Sequence, residues 1–251
     1  MEKVTQKPLL RHLDEFERLL KNYKPSEQSV KILNSLPLVL LAGPTAAGRN
    51  TLISLLVQTG RYHTIVSDTT RPKRSNNGVM ERDGVEYWFK TEEEFLEGLK
   101  KGAYIEAAVI HQQQVSGQNI SRIVAAGKAD KIAINEVQND GVANIHKYKP
   151  DTLIIFLMPP DFDTWMKRIK GRGNTGEAEL RRRLESAKDE ISDALSKDYY
   201  QFVINHEIHD AAQAVDELAR GRDLNPEKQK LGRDHAEQLL IDIQLYLEAK
   251  Q

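Results

Sequence analysis

Cysteine is absent from all 251 residues, which excludes disulfides and thiolate metal sites. Neither sign of charge dominates: 36 Lys and Arg stand against 37 Asp and Glu, for a formal net charge of −1. That balance gives no global reason to expect nucleic acid or an anionic membrane as a partner. Long apolar runs are missing too. None approaches the roughly 20 residues needed to span a bilayer, and the charged N-terminus carries no signal-peptide core. The expectation is a soluble, cytoplasmic protein. Aromatic residues make up only 6% of the chain and hydrophobic residues 39%, low for a globular protein but enough for a core. The length suits one sizeable domain with a small movable subdomain and terminal additions.

What the chain does have is one strongly organised stretch. Leu38-Val39-Leu40-Leu41 reads as a short buried strand, and Gly43 and Gly48 bound the loop Gly43-Pro44-Thr45-Ala46-Ala47-Gly48. Asn50 to Val57 then carries helical apolar spacing through Leu52, Ile53, Leu55 and Leu56. Strand, Gly-x4-Gly, helix is the layout of a phosphate-binding P-loop, whose backbone N–H groups and helix N-terminus cradle a polyphosphate. Where Lys and Ser/Thr usually follow the second glycine, this chain has Arg49 and Asn50, with Thr51 next. Arg49 keeps a cation for the β- and γ-phosphates, although its planar fork is bulkier than an ammonium and aimed differently. Asn50 lacks the hydroxyl that meets Mg²⁺, yet its amide oxygen can ligate the ion or a bound water.

Around this stretch the pattern alternates strand and helix. Strands are predicted at Tyr62 to Ser67, Val85 to Phe89, Tyr104 to Ile110, Lys131 to Val137, Thr152 to Met158 and Phe202 to Asn205. Helices are predicted at Glu92 to Lys100, capped by a Thr91/Glu94 box, and at Asn119 to Ala126, ending at Gly127. Further helices fall at Gly141 to Tyr148, Asp161 to Ile169, Glu177 to Leu195 and Ala211 to Ala219. Such alternation implies a parallel sheet covered on both faces. Amphipathic segments at Pro8 to Tyr23 and His235 to Ala249 flank the core, joined to it by polar connectors at Lys24 to Leu36 and Arg222 to Lys230. They pack on the core, on each other or on a second subunit as a homodimer. Trp88 and Trp165 read as packing residues. His206-Glu207-Ile208-His209 lacks the i, i+4 histidine spacing of a zinc helix.

Between Pro37 and Arg220 an ordered series of blocks resembles the guanylate kinase family. The series runs from the P-loop to Val66-Ser67-Asp68-Thr69-Thr70-Arg71-Pro72-Lys73-Arg74, then Asp83-Gly84-Val85-Glu86-Tyr87-Trp88-Phe89 and Tyr104-Ile105-Glu106. It continues with Gly171-Arg172-Gly173-Asn174-Thr175, Arg183-Leu184 and Val203-Ile204-Asn205. The resemblance implies an α/β fold: a parallel-sheet P-loop nucleoside monophosphate kinase core, a small β-rich nucleotide-binding arm and a helical lid. It places an N-terminal helical extension at 1–36, the kinase-like domain at 37–221 and a C-terminal helical extension at 222–251.

The resemblance also assigns roles. Gly43, Pro44, Thr45, Ala46, Ala47, Gly48, Arg49, Asn50 and Thr51 would hold the phosphates of ATP, with Arg168 stacked on the donor base. Ser67, Arg71, Arg74 and Tyr87 would hold the acceptor monophosphate, because guanidinium forks and hydroxyls suit a dianionic phosphate. Glu106 would accept hydrogen bonds from a guanine edge, and Glu136, in Ile134-Asn135-Glu136-Val137-Gln138, is nearest to the second acid of the family's Asp-x-Asp strand. Arg49, Arg172 and Arg183 would neutralise charge on the transferring group. Arg181-Arg182-Arg183 has an alternative reading as a charged helix face, given Glu177, Glu179 and Glu185, against which the Gly171-Arg172-Gly173 loop argues.

The implied activity is phosphoryl transfer from ATP with Mg²⁺ to GMP or dGMP. Two alternatives stay open. Arg49, Asn50 and Ile134 also fit a guanylate kinase-like binding module without turnover. The stretch Gln113-Gln114-Val115-Ser116-Gly117 replaces the family's Asn-Tyr-Tyr-Gly-Thr, which also fits a kinase with another acceptor.

Overall fold

The apolar run Leu38–Ala42 is the central strand of a five-stranded parallel sheet, and all five of its residues are buried. The sheet order is Tyr200–Ile204, Leu153–Met158, Leu38–Ala42, Ile132–Glu136, Tyr62–Thr64. Register is set by pairs such as Leu40 with Ile154 on one side and Leu40 with Asn135 on the other. A strand apolar at every position is what a sheet covered on both faces demands. On one face Val39, Leu41, Ile134, Ile155 and Leu157 pack against Leu52, Ile53 and Leu56 of the helix Arg49–Gln58 and Ala211 and Val215 of Ile208–Ala219. Each large apolar side chain so buried contributes ~1.5–3 kcal/mol.

This computed structural model describes residues 9–76, 78–171, 176–222 and 225–250. The chain forms two compact units. One holds the parallel sheet, over 38–64, 131–143 and 152–251; the other comprises 1–37, 65–130 and 144–151. In the second unit the strands order as Trp88–Phe89, Asp68–Thr69, Gln114–Asn119, Tyr104–Ile110, beside a separate hairpin, Ser75–Asn76 with Val79–Met80. Phe16 of the helix Leu13–Leu20 meets Phe95 edge-on, and Phe95 stacks on Tyr104 at 4.4 Å.

Several elements depart from the sequence reading. Tyr62 to Ser67 is not one strand: pairing ends at Thr64, and Asp68–Thr69 belongs to the other unit's sheet. Val85 to Phe89 shrinks to Trp88–Phe89, because Gly84 N–H bonds Tyr87 O at 2.9 Å and curls the chain. Lys24 to Leu36 is no connector; Ser26 caps a helix at Glu27–Asn34 that buries Leu33. The helix after Asn119 runs through Gly127 to Lys128. The last helix begins at Pro226, not His235, since Asn225 caps it and proline suits the first turn. Both terminal helices bury apolar residues within the chain, although Leu231, Ile241 and Leu245 of the last one stay exposed. Phe16 is buried in one unit, and Ala236, Leu239 and Ile243 in the other. Among the described residues no helix is long and apolar enough to cross a membrane.

Candidate functional site

Gly43 leaves the central strand at φ +135°, and a Cβ there would lie 2.2 Å from the Leu157 carbonyl oxygen. Only glycine lets the chain turn so close to the neighbouring strand. Gly48 closes the loop at φ +107° as N-cap of Arg49–Gln58. Two buried side chains hold the loop from below. Trp165 Nε1–H donates to Thr45 O at 2.7 Å, and Asn205 Nδ2–H donates to Ala47 O at 2.7 Å. Trp165 therefore fastens the loop as well as packing. Its long separation from Thr45 in sequence hides that role.

Two clefts flank this loop. The first, of about 260 Å³, is lined by Gly43, Thr45, Arg49, Arg183, Ser186 and Glu190, with Val137, Gln138 and Asn139 completing it. It joins two arginines that are far apart in sequence. The helix Glu177–Leu195 is laced with ion pairs, including Arg183 to Glu179 at 2.8 Å and Arg181 to Glu185 at 3.0 Å. The run forms a charged helix face, and of its three arginines only Arg183 lines the cleft. Burial raises the Glu190 carboxyl above its ordinary value, against the opposing pull of its Ser186 bond and of Arg49. The second cleft, of about 550 Å³, takes in Ala46, Gly48, Thr51, Arg168 and Asn205. Asn50 is exposed and lines neither cleft. Glu136 stands at the sheet's edge of the loop, 3.8 Å from Arg49 Nε, which pairs it with the P-loop arginine. Ile134 is fully buried in the apolar core. Arg172, with the rest of 172–175, lies outside the described residues.

Ser67, Arg71, Arg74, Tyr87 and Glu106 all fall in the other unit. Arg71 is held there by Glu81, a residue without a role in the sequence reading. Arg71 Nη1 and Nη2 donate to the Glu81 carboxylate at 2.5 and 2.7 Å, both side chains being 7% exposed. The hairpin of Ser75–Asn76 with Val79–Met80 carries Glu81 back to Arg74. Ser67 Oγ accepts from Gln118 Nε2 at 3.3 Å, and Gln118 pairs across the ladder with Glu106. Gln118 is buried, and its Oε1 has no hydrogen-bond partner among the described residues. Desolvation pushes the half-buried Glu106 carboxyl up to about 7. Beneath them Asp68, fully buried, accepts from Tyr104 Oη–H at 3.0 Å and Arg122 Nη2–H at 2.9 Å, while Arg122 covers the Trp88 ring at 4.2 Å. His206-Glu207-Ile208-His209 forms no metal cluster; among the described residues no group of three or more His, Asp or Glu could hold an ion.

Residues 35–221 match the family model described as guanylate kinase. The chain is 35% identical over 187 residues to a guanylate kinase of Corynebacterium diphtheriae, covering 74% of this chain and 95% of that one. It is 30% identical over 197 residues to a guanylate kinase of Clostridioides difficile, covering 78% and 90%. The crystal structure of guanylate kinase from Anaplasma phagocytophilum superposes with a TM-score of 0.53 at 22% identity, over 78% of this chain and 90% of that one, a likeness of fold.

Proposed function

The chain belongs to the guanylate kinase family, and from that premise we propose that it transfers the γ-phosphoryl group of ATP to GMP or dGMP, giving ADP and GDP or dGDP. The observation that carries the reading is the cleft where the P-loop, Arg49 and Arg183 meet. Phosphoryl transfer asks little covalent chemistry of a protein and much positioning and charge stabilisation. The loop's backbone N–H groups and the N-terminus of Arg49–Gln58 supply positive potential to the donor phosphates. Arg49 and Arg183 stabilise charge that develops as the β–γ bridging P–O bond breaks and an acceptor oxygen bonds phosphorus. That oxygen is already anionic, so no general base is required. The side-chain donors that the first cleft offers a cation are oxygens, those of Thr45, Gln138, Asn139, Ser186 and Glu190, a set that fits Mg²⁺. Bound with ATP, the ion would supply charge neutralisation there.

On the acceptor side, the exposed Arg74 with Ser67 and Tyr87 suits the monophosphate, and Glu106 suits a base edge that donates hydrogen bonds. Guanine presents N1–H and an amino group, which require the ionised carboxylate. Because Glu106 titrates at about 7 in the free protein, lowering the pH protonates it and removes the acceptor. From pH 8 to pH 6 this should weaken GMP binding about tenfold, beyond any loss from the phosphate's own titration. Calorimetry at pH 6, 7 and 8 on the wild type and Glu106→Gln checks it. The variant should bind more weakly at pH 8 and keep only the phosphate's dependence. Identical pH profiles would remove Glu106 from the base site.

A further inference from the structure

Resting on the acceptor-site reading above, we infer that Glu81 is a positioning residue for the monophosphate: it does not meet the nucleotide, but it sets where Arg71, Arg74 and Tyr87 stand. The hairpin pairs Ser75 with Met80 and Asn76 with Val79, so the next pair outward is Arg74 with Glu81. Glu81 N–H bonds Arg74 O at 2.9 Å. Its side chain then turns inward and takes three donors. Oε2 accepts from Arg71 Nη1–H at 2.5 Å and from the Arg74 backbone N–H at 2.8 Å, and Oε1 accepts from Arg71 Nη2–H at 2.7 Å. Arg71 Nη1 donates also to Pro72 O at 3.0 Å. The bond from Arg71 holds the Glu81 carboxyl down to about 2, so the pair stays charged across the working pH range.

The Nη1/Nη2 face of Arg71 is therefore committed to Glu81, which leaves its Nε–H and second Nη2–H to meet a phosphate from the side. Its guanidinium lies 4.7 Å from the Tyr87 ring centre and 5.4 Å from that of Phe89. Such a stack fixes the ring that carries the Tyr87 hydroxyl. Arg71 thus braces Tyr87 while its remaining donors, with the exposed Arg74 side chain, face the phosphate. One carboxylate holds both parts in place.

A simple counter-charge would behave in the opposite way. Removing a carboxylate near a dianion relieves repulsion and frees Arg71, so GMP should bind more tightly. If Glu81 positions the site, GMP should bind less tightly. Steady-state kinetics on wild type, Glu81→Gln, Glu81→Asp, Arg71→Lys and the Glu81→Gln/Arg71→Lys double variant separate the two. We expect Glu81→Gln to raise the KM for GMP about tenfold, with kcat and the KM for ATP held within about twofold. Arg71→Lys should do the same, and the double variant should be no worse than the worse single, because both changes break one unit. Glu81→Asp, which keeps the charge but is too short to span both nitrogens, should shift in the same direction by less. It decides the matter if the Gln variant does not fold. An unchanged or lowered KM for GMP overturns the inference, as does an equal rise for ATP, which would mark a merely structural pair. Wild-type turnover with an unmoved variant KM defeats this inference alone. Absence of wild-type turnover defeats the proposed function and this inference with it.

Discussion

Replacing Arg49 by alanine should lower kcat about 10²–10³-fold, the cost of removing one positioned charge from a phosphoryl-transfer site. Its side chain is 21% exposed, follows the second loop glycine and lines the cleft with Gly43 and Thr45. In a partly dry cleft such a cation acts on developing charge far more strongly than it would in water. The unusual residue here is part of the machinery on this reading, not a sign of decay. Arg49→Lys should therefore keep much of the turnover, since it leaves a compact ammonium lining the same cleft. Pre-steady-state and steady-state rates for both variants check the pair. An alanine variant as fast as the wild type would take Arg49 out of the reaction.

Arg183→Ala should lower kcat about 10²-fold while the KM values of ATP and GMP stay nearly unchanged, because a clamp acting on the transition state adds little to ground-state binding. Arg181→Ala is the internal control. It breaks a pair of the same kind, to Glu185 at 3.0 Å, but lies off the cleft. An exposed i, i+4 pair is worth only ~0.3–0.5 kcal/mol, so that variant should work as the wild type does. Equal losses in the two variants would mean that Arg183 serves only to stabilise its helix.

The parallel sheet and the P-loop were legible because their signals are local. A five-residue apolar strand, a glycine forced by a neighbouring carbonyl and a helix with apolar spacing lie in one stretch, Leu38 to Val57. The capping box at Thr91 and Glu94 was legible for the same reason and is present as predicted. Other features arise only from folding. Gln114–Asn119 carries a single large apolar residue, Val115, and is a strand because its hairpin partner Tyr104–Ile110 supplies the ladder. Trp165 looked like packing because its N–H partner, Thr45 O, lies on a distant segment. Glu81 was overlooked because the sequence offers Arg71 and Arg74 as a basic pair but does not reveal that a hairpin folds a carboxylate onto one of them. The ion pair of Glu136 with Arg49, at 3.8 Å, likewise joins segments far apart in sequence.

The most direct measurement is ADP release by the wild-type protein with ATP and Mg²⁺ across a panel of nucleoside monophosphates, with Arg49→Ala as the blank. The expected result is release that depends on GMP or dGMP, matched mole for mole by the nucleoside diphosphate and lost in the variant. No release above that blank with any monophosphate, from protein that still binds ATP, would contradict a kinase and leave a guanylate kinase-like binding module in its place.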